Sequence, residues 1–135
     1  MSEHITQQRI LLACGSGDTR LWRNNVGTGW AGQATKVTPG NLRAVSQALR
    51  PGDVVIRQGR PLHAGLCVGS SDLIGYRVVN RVAQFVALEV KSATGRPTAQ
   101  QTQFIDHINA VGGCAGIVRS VDDAQALLGA DIAQR

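Results

Sequence analysis

Leu73-Ile74-Gly75-Tyr76-Arg77-Val78-Val79, then Asn80-Arg81, then Gln84-Phe85-Val86-Ala87-Leu88-Glu89-Val90-Lys91 is the stretch that decides how this chain folds. Leu73, Ile74, Tyr76, Val78 and Val79 make one β-prone run, and Gln84 to Val90 makes a second. Asn80-Arg81 stands between them as a turn, so the stretch predicts a β-hairpin. Asp72 opens the first strand, while Glu89 and Lys91 end the second. A hairpin brings those ends together. Residues two apart on a strand share a face, so Glu89 and Lys91 point the same way. Glu89 interrupts Phe85-Val86-Ala87-Leu88 and Val90, and an acid in so apolar a strand needs a partner or a cation. Two carboxylates beside an ammonium are the set that metal-assisted phosphodiester hydrolysis uses. The acids hold a hard divalent cation, and the ammonium steers a water or neutralises developing charge.

The flanks extend the pattern in both directions. Gly69-Ser70-Ser71 is a small-residue loop that lets backbone approach whatever Asp72 binds. Ser92 to Pro97 is a loop, and Thr98 is an N-cap for an amphipathic helix to Ala110 carrying Phe104, Ile105 and Ile108. Gln101 falls in its first turn and can face back toward a metal. Ala115 to Arg119 reads as a strand, and Ser120-Val121-Asp122-Asp123 as a capping-box start to a last helix reaching Leu128. Upstream, Ile5, Ile10, Leu11 and Leu12 predict a first helix, with Ser2 as N-cap and Gly15 past its end. Arg20 to Asn24 is a short strand and Val26 to Gln33 a glycine-rich loop. Thr38-Pro39 starts a helix over Asn41 to Arg50, which Pro51-Gly52 stops. Val54-Val55-Ile56 is a strand, and Gly59 to Gly69 a loop. The order is helix, strand, inserted helix, three strands, helix, strand, helix: an α/β fold with a mixed central sheet flanked by helices.

Five ordered segments carry a resemblance: Leu21-Trp22-Arg23-Asn24-Asn25-Val26-Gly27; Gly69-Ser70-Ser71-Asp72-Leu73-Ile74-Gly75; Leu88-Glu89-Val90-Lys91-Ser92; Gly95-Arg96 with Gln101; and Gly112-Gly113 with Val118 to Ala124. Together they resemble the VRR-NUC domain, the virus-type replication-repair nuclease branch of the PD-(D/E)XK nucleases, and its small standalone phage and prophage members most of all. The similarity runs from about Glu3 to Leu128 and is weakest over Thr38 to Pro61. It implies a restriction-endonuclease-like αβββαβ core in a single nuclease domain over residues 1–135. It also implies Mg²⁺- or Mn²⁺-dependent cutting of branched DNA, such as Holliday junctions.

On that basis Asp72, Glu89 and the backbone carbonyl of Val90 are the expected metal ligands, with water completing an octahedron. Lys91 is expected to orient the attacking water and stabilise the transition state. Gln101 is expected to hold Lys91 or the water. The family pattern places an acid in the first helix, which maps to Glu3, acting on the metal through water. Arg23, Asn24 and Asn25 are expected to contact the DNA backbone or shape the site, with Trp22 in the core. Arg20, Lys36, Arg43, Arg57, Arg60, Arg77, Arg81 and Arg96 are candidate phosphate contacts. Arg96 is favoured because its loop adjoins Lys91.

Composition fits a globular protein whose basic balance suits either a nucleic-acid partner or a merely soluble basic protein. The chain has 135 residues, 43% of them hydrophobic, and a formal net charge of +5. That length suits one core. Of its 14 Lys and Arg residues only Lys36 and Lys91 are lysines, leaving 12 arginines. Arginine's planar fork suits phosphate, and a basic balance favours a polyanionic partner. Cys14, Cys67 and Cys114 form no C-x-x-C pair and read as small thiols, not a zinc or disulfide framework. His4, His63 and His107 are scattered. Met1 to Arg9 is polar, and no apolar run approaches the ~20 residues of a membrane span, so the expected place is the cytoplasm. Symmetric junction cutting takes two sites, which makes a homodimer the expected assembly. A non-catalytic DNA-binding module on the same fold is the alternative, and an enzyme of a small phosphorylated ligand is a third reading.

Overall fold

A computed structural model describes residues 1–41 and 49–130. The elements are α1 (Glu3–Cys14), β1 (Thr19–Arg23), β2 (Gly27–Lys36), β3 (Val54–Ala64), β4 (Leu73–Val79), β5 (Val82–Val90), α2 (Ala99–Ala110), β6 (Cys114–Val118) and α3 (Val121–Ala130). The architecture is mixed α/β: a four-stranded sheet in the order β1-β4-β5-β6, and a separate two-stranded sheet of β2 and β3. The β1/β4 and β4/β5 pairs are antiparallel, and β5/β6 is parallel. The expected helix over Asn41 to Arg50 falls on 42–48, outside the described residues.

The chain divides into two compact units, Met1–Val26 with Gly65–Arg135, and Gly27–Ala64. In the larger unit the central hairpin forms where it is expected. Asn80 and Arg81 take φ of 50° and 65°. Two successive left-handed residues make the tight turn whose twist matches the flanking strands. Alternation along the strands then builds two faces. Leu21, Leu73, Val86, Leu88 and Val90 pack with Ile10 and Cys14 of α1 and Ala124 and Leu128 of α3. On the other face Ala87 and Ala115 pack under Ile105, Phe104 and Ile108 of α2. The helix caps are also where local sequence places them. Ser2 Oγ accepts from Ile5 N, and Thr98 and Gln101 form a reciprocal capping box. At α3 the box is offset: Ser120 Oγ accepts from Asp123 N, but Asp123 Oδ2 accepts from Arg119 N.

Three expectations fail here. Val26 to Gln33 is not a flexible loop, because Gly27–Lys36 is strand β2. Gly59 to Gly69 is not all loop, because β3 runs from Val54 to Ala64. The glycines and Pro61 read as loop signals, yet the two segments satisfy each other's backbone as a long antiparallel pair. Trp22 is not core: it is 55% exposed. Leu21 takes the core-facing position on β1, which turns Trp22 to the opposite face, against Tyr76 at a centroid distance of 5.9 Å. No helix among the described residues is long and apolar enough to cross a membrane.

Candidate active site

Strands β4 and β5 pair Leu73 with Leu88, so Asp72 and Glu89 meet at one end of the hairpin. Asp72 Oδ2 accepts from Val90 N at 3.0 Å, which ties the first acid to the strand carrying the second. Glu89 is 0% exposed. Its Oε1 lies 2.8 Å from Lys91 Nζ and accepts from Gln101 Nε2 at 2.6 Å. Its Oε2 is buried and has no hydrogen-bond partner. A carboxylate oxygen stripped of water and left without a donor is costly, and a cation would relieve that cost.

Gln101 is held at both ends of its amide. Its Oε1 accepts from Thr98 N at 2.8 Å, completing the capping box, and this aims Nε2 at Glu89. The expected partner was Lys91 or a water. The bond goes to Glu89, so Gln101 fixes the acid. Glu3 Oε1 accepts from Ser92 N at 2.9 Å, which brings the first helix to the residue after Lys91. A Cβ on Gly95 would stand 3.2 Å from that carboxylate oxygen, so glycine leaves room for it. Asp72, Glu89, Lys91, Gln101 and Glu3 are thus gathered from four separate places in the chain, Glu89 and Lys91 sharing the end of β5.

The charges act on one another. Burial pushes the Glu89 carboxyl above its ordinary pKa, with the negative charge of Asp72 adding to the rise and the Lys91 bond and charge, and more weakly the Asp72 backbone N–H, opposing it. That N–H lies outside ordinary hydrogen-bond geometry, so Oε2 still has no full donor. Burial alone would lower the Lys91 ammonium. Its hydrogen bond to Glu89 and the charges of Glu89, Glu3 and Asp72 outweigh burial and hold it above the ordinary lysine value.

Of the two expected roles for Asn24, contacting the DNA backbone or shaping the site, its burial at 8% exposure leaves the second. Its Nδ2 donates to Ser70 Oγ at 2.7 Å and to Ser71 O at 2.9 Å, its Oδ1 accepts from Leu66 N at 3.0 Å, and its own N–H donates to Asp72 O at 2.7 Å. One amide therefore pins the loop that presents Asp72. Gly69 in that loop has φ 85°, and a Cβ there would come within 2.7 Å of Gln100 Cβ. Only glycine lets the loop lie against the first turn of α2. Arg77 is a second correction. At 2% exposure it cannot reach DNA; its Nε donates to Gln84 Oε1 at 2.6 Å and its Nη1 to Leu128 O. Arg23 is half-buried and donates to His4 Nδ1 at 3.1 Å, whereas Arg96 is exposed in the loop after Lys91. Arg119, which carried no expected role, donates from Nη1 to Ser92 O beside Lys91.

A polar cleft of about 360 Å³ opens at Asp72 and Gln101, walled by Gln7, Asn24, Asn25 and Ser70. A larger cleft of about 500 Å³ lies at the turn end of the hairpin, lined by Val79, Val82, Phe85, Ile108 and Val111. It offers no titratable group, and the acids are near the other end of β5. No group of three or more His, Cys, Asp or Glu side chains among the described residues is arranged to hold a metal ion. A bound cation would therefore rest on two carboxylates, backbone carbonyl and water, a donor set that suits Mg²⁺ or Mn²⁺ better than zinc. Comparison of the chain with protein-family models, curated proteins and solved structures finds no match.

Proposed function

We propose that this protein is a Mg²⁺- or Mn²⁺-dependent endonuclease of the PD-(D/E)XK type, cutting phosphodiester bonds in branched DNA. One observation carries the reading: Glu89 is fully buried, one oxygen is held by Lys91 and Gln101, and the other makes no hydrogen bond of ordinary geometry, while the carboxyl feels the charge of Asp72. Such a carboxylate is prepared for a cation. With the β2–β3 hairpin set aside, the order α1, β1, β4, β5, α2, β6 is an αβββαβ core, which supports the nuclease-like reading of the fold.

The divalent ion, when bound by Asp72, Glu89 and the Val90 carbonyl, would polarise the scissile phosphate and lower the pKa of a water. The chain's own residues do the rest. Gln101 and Lys91 hold Glu89 in one rotamer. Lys91 keeps a positive charge near the reacting phosphate, where it offsets charge developing in the transition state. The Asn24 lock keeps Asp72 in place without touching substrate.

The test is incubation of the protein with labelled four-way, flap and linear DNA, with and without Mn²⁺, alongside Mn²⁺ calorimetry. Cleavage that needs metal and disappears in Asp72→Ala and Glu89→Ala, each of which also loses Mn²⁺ affinity, is expected. DNA binding without cleavage under any metal would leave the non-catalytic DNA-binding module as the reading.

A further inference from the structure

The unit Gly27–Ala64 holds Lys36, Arg43, Arg50, Arg57 and Arg60 against one acid, Asp53. Five bases against one acid give +4 of the chain's formal +5. Its strands pair Gly27 with Ala64 through Ala31 with Arg60, then Gln33 with Arg57 through Lys36 with Val54. Between the two blocks only Gly32 intervenes on β2, while Gln58 and Gly59 intervene on β3. This is a β-bulge, and it decides where the arginines point. In a regular strand Arg57 and Arg60, three apart, would face opposite sides. Paired to Ala31 and Gln33, which are two apart, they share one face.

The bulge is fixed by its residues. Gln58 sits at φ 51°. A Cβ on Gly32 would stand 2.6 Å from Arg57 O and 2.7 Å from Ile56 Cγ2. The same register puts Gln33, Thr35, Val55 and Leu62 on the arginine face, and Trp30, Ala34, Lys36, Ile56 and Pro61 on the other. Arg57, Arg60, Gln33 and Thr35 are exposed. No carboxylate of the described residues is ion-paired with either arginine, and Asp53 accepts instead from Arg50 N.

We propose that this basic face of the β2–β3 ribbon binds the sugar–phosphate backbone of the nucleic acid. The proposal rests on the reading of the protein as a nuclease. Two residues of strand rise separate Arg57 from Arg60 by ~7 Å, comparable with neighbouring phosphates on one strand. Gln33 and Thr35 add neutral donors of the kind that contact phosphate oxygens. Such contacts fix position and carry no sequence preference.

The test uses full-length Lys91→Ala protein without divalent metal, with labelled duplex and single-stranded DNA read by fluorescence anisotropy. Adding Arg57→Gln and Arg60→Gln together should weaken duplex binding at least tenfold. It should also flatten the slope of log affinity against log salt by about 1.8, near 0.9 per lost phosphate contact. Each single change should give about half of that. Ile56→Arg with Arg57→Gln keeps the net charge but moves the cation to the Trp30 face; compared with Arg57→Gln at the same oligomeric state, checked by light scattering, it should bind no better. Mn²⁺ affinity at Asp72 and Glu89 should stay unchanged in every variant, which shows the larger unit intact. Duplex binding undiminished in the double variant, or restored by the Ile56→Arg swap, overturns the proposal and leaves the nuclease reading standing. Absence of any nucleic-acid binding by the parent protein overturns both. Displacement by polyglutamate as effective as by DNA would overturn the assignment to phosphate.

Discussion

Gln101 donates to Glu89 Oε1 at 2.6 Å while its own amide oxygen caps helix α2 through Thr98 N. The start of a helix and the rotamer of a buried acid are therefore one arrangement. Gln101→Glu separates the two roles. Glutamate completes a capping box as well as glutamine does, so the helix cap survives, and any fall in melting temperature should shrink at low pH, where the new carboxyl and Glu89 are protonated. The donor to Glu89 is lost, and a second negative charge takes its place. Cleavage should fall at least tenfold, and its pH profile should move to higher pH as Glu89 becomes harder to ionise. An unchanged profile would show that Gln101 serves the helix alone.

Metal-free stability should fall as pH rises through the acid range. The folded-state pKa of Glu89 lies above its ordinary 4.5, chiefly from burial. The folded chain therefore binds that proton more tightly than the unfolded chain. The group's contribution declines between pH 4.5 and its raised folded value, because the unfolded state releases the proton first. Lys91 acts in the same sense but in a different range: its folded pKa is also raised, so its stabilisation persists below 10.5 and is lost only as pH rises through its folded pKa. Melting curves in EDTA at several pH values, compared with Glu89→Gln, should show the decline in wild type and a flatter profile in the variant. Added Mn²⁺ should stabilise wild type increasingly as pH rises through that window, since the ion needs the ionised acid.

The parts of this picture that lie close in sequence are legible from sequence. The Leu73 to Lys91 hairpin, the Ser2 and Thr98 caps and the Asp72, Glu89, Lys91 set each follow from periodicity or a few adjacent residues. What escapes depends on distant partners. Asn24 reads as a surface polar residue until Leu66, Ser70 and Ser71 arrive more than 40 residues later. Arg77 reads as a phosphate contact because its acceptors, Gln84 and the Leu128 carbonyl, come from two other elements. The β2–β3 ribbon hides behind Gly27, Gly29, Gly32, Gly59 and Pro61, each a loop signal alone. Its bulge cannot be seen until the register is known.

Lys91→Ala should separate chemistry from binding. Lys91 touches Glu89 and is only 14% exposed, so its loss also costs stability by removing the partner of a buried acid, and a melting curve must show the variant folded at the assay temperature. Cleavage should drop by about 10²–10³-fold, the scale for one charge-stabilising group in a transition state. DNA affinity should change less than threefold. Single-turnover rates on a labelled junction separate the two effects. A variant cutting near the wild-type rate would remove Lys91 from the chemistry.

Asn24→Ala should weaken the site from a distance. The change strands the Leu66 N–H and the Ser71 carbonyl, each hydrogen-bonded to the Asn24 amide. Leaving two such groups without partners costs about 2–4 kcal/mol. Asp72 would lose the loop that presents it, so Mn²⁺ affinity should fall by about 10-fold or more. Calorimetry and urea unfolding on the same variant check both outcomes. Full metal affinity with reduced stability would mean that the loop holds its shape through Gly69 and the β4 pairing alone.

Two cuts on opposed strands of a four-way junction take two sites, and one chain carries one Glu89. A twofold dimer supplies the second without another domain. Val54, Val55 and Ile56 fall in the stretch that departs most from the nuclease resemblance. In the structure their backbone pairs with Lys36, Thr35 and Ala34, so side chains alone are left for a partner. Ile56 lies on the same ribbon face as Trp30, which is 63% exposed. Light scattering should give a dimer mass, and Trp30→Ser should shift it toward monomer without loss of Mn²⁺ binding. Paired incisions on four-way junctions should become single nicks in that variant. A wild-type protein that is monomeric and cuts linear duplex equally well would remove both the dimer and the junction preference, leaving a single-site nuclease.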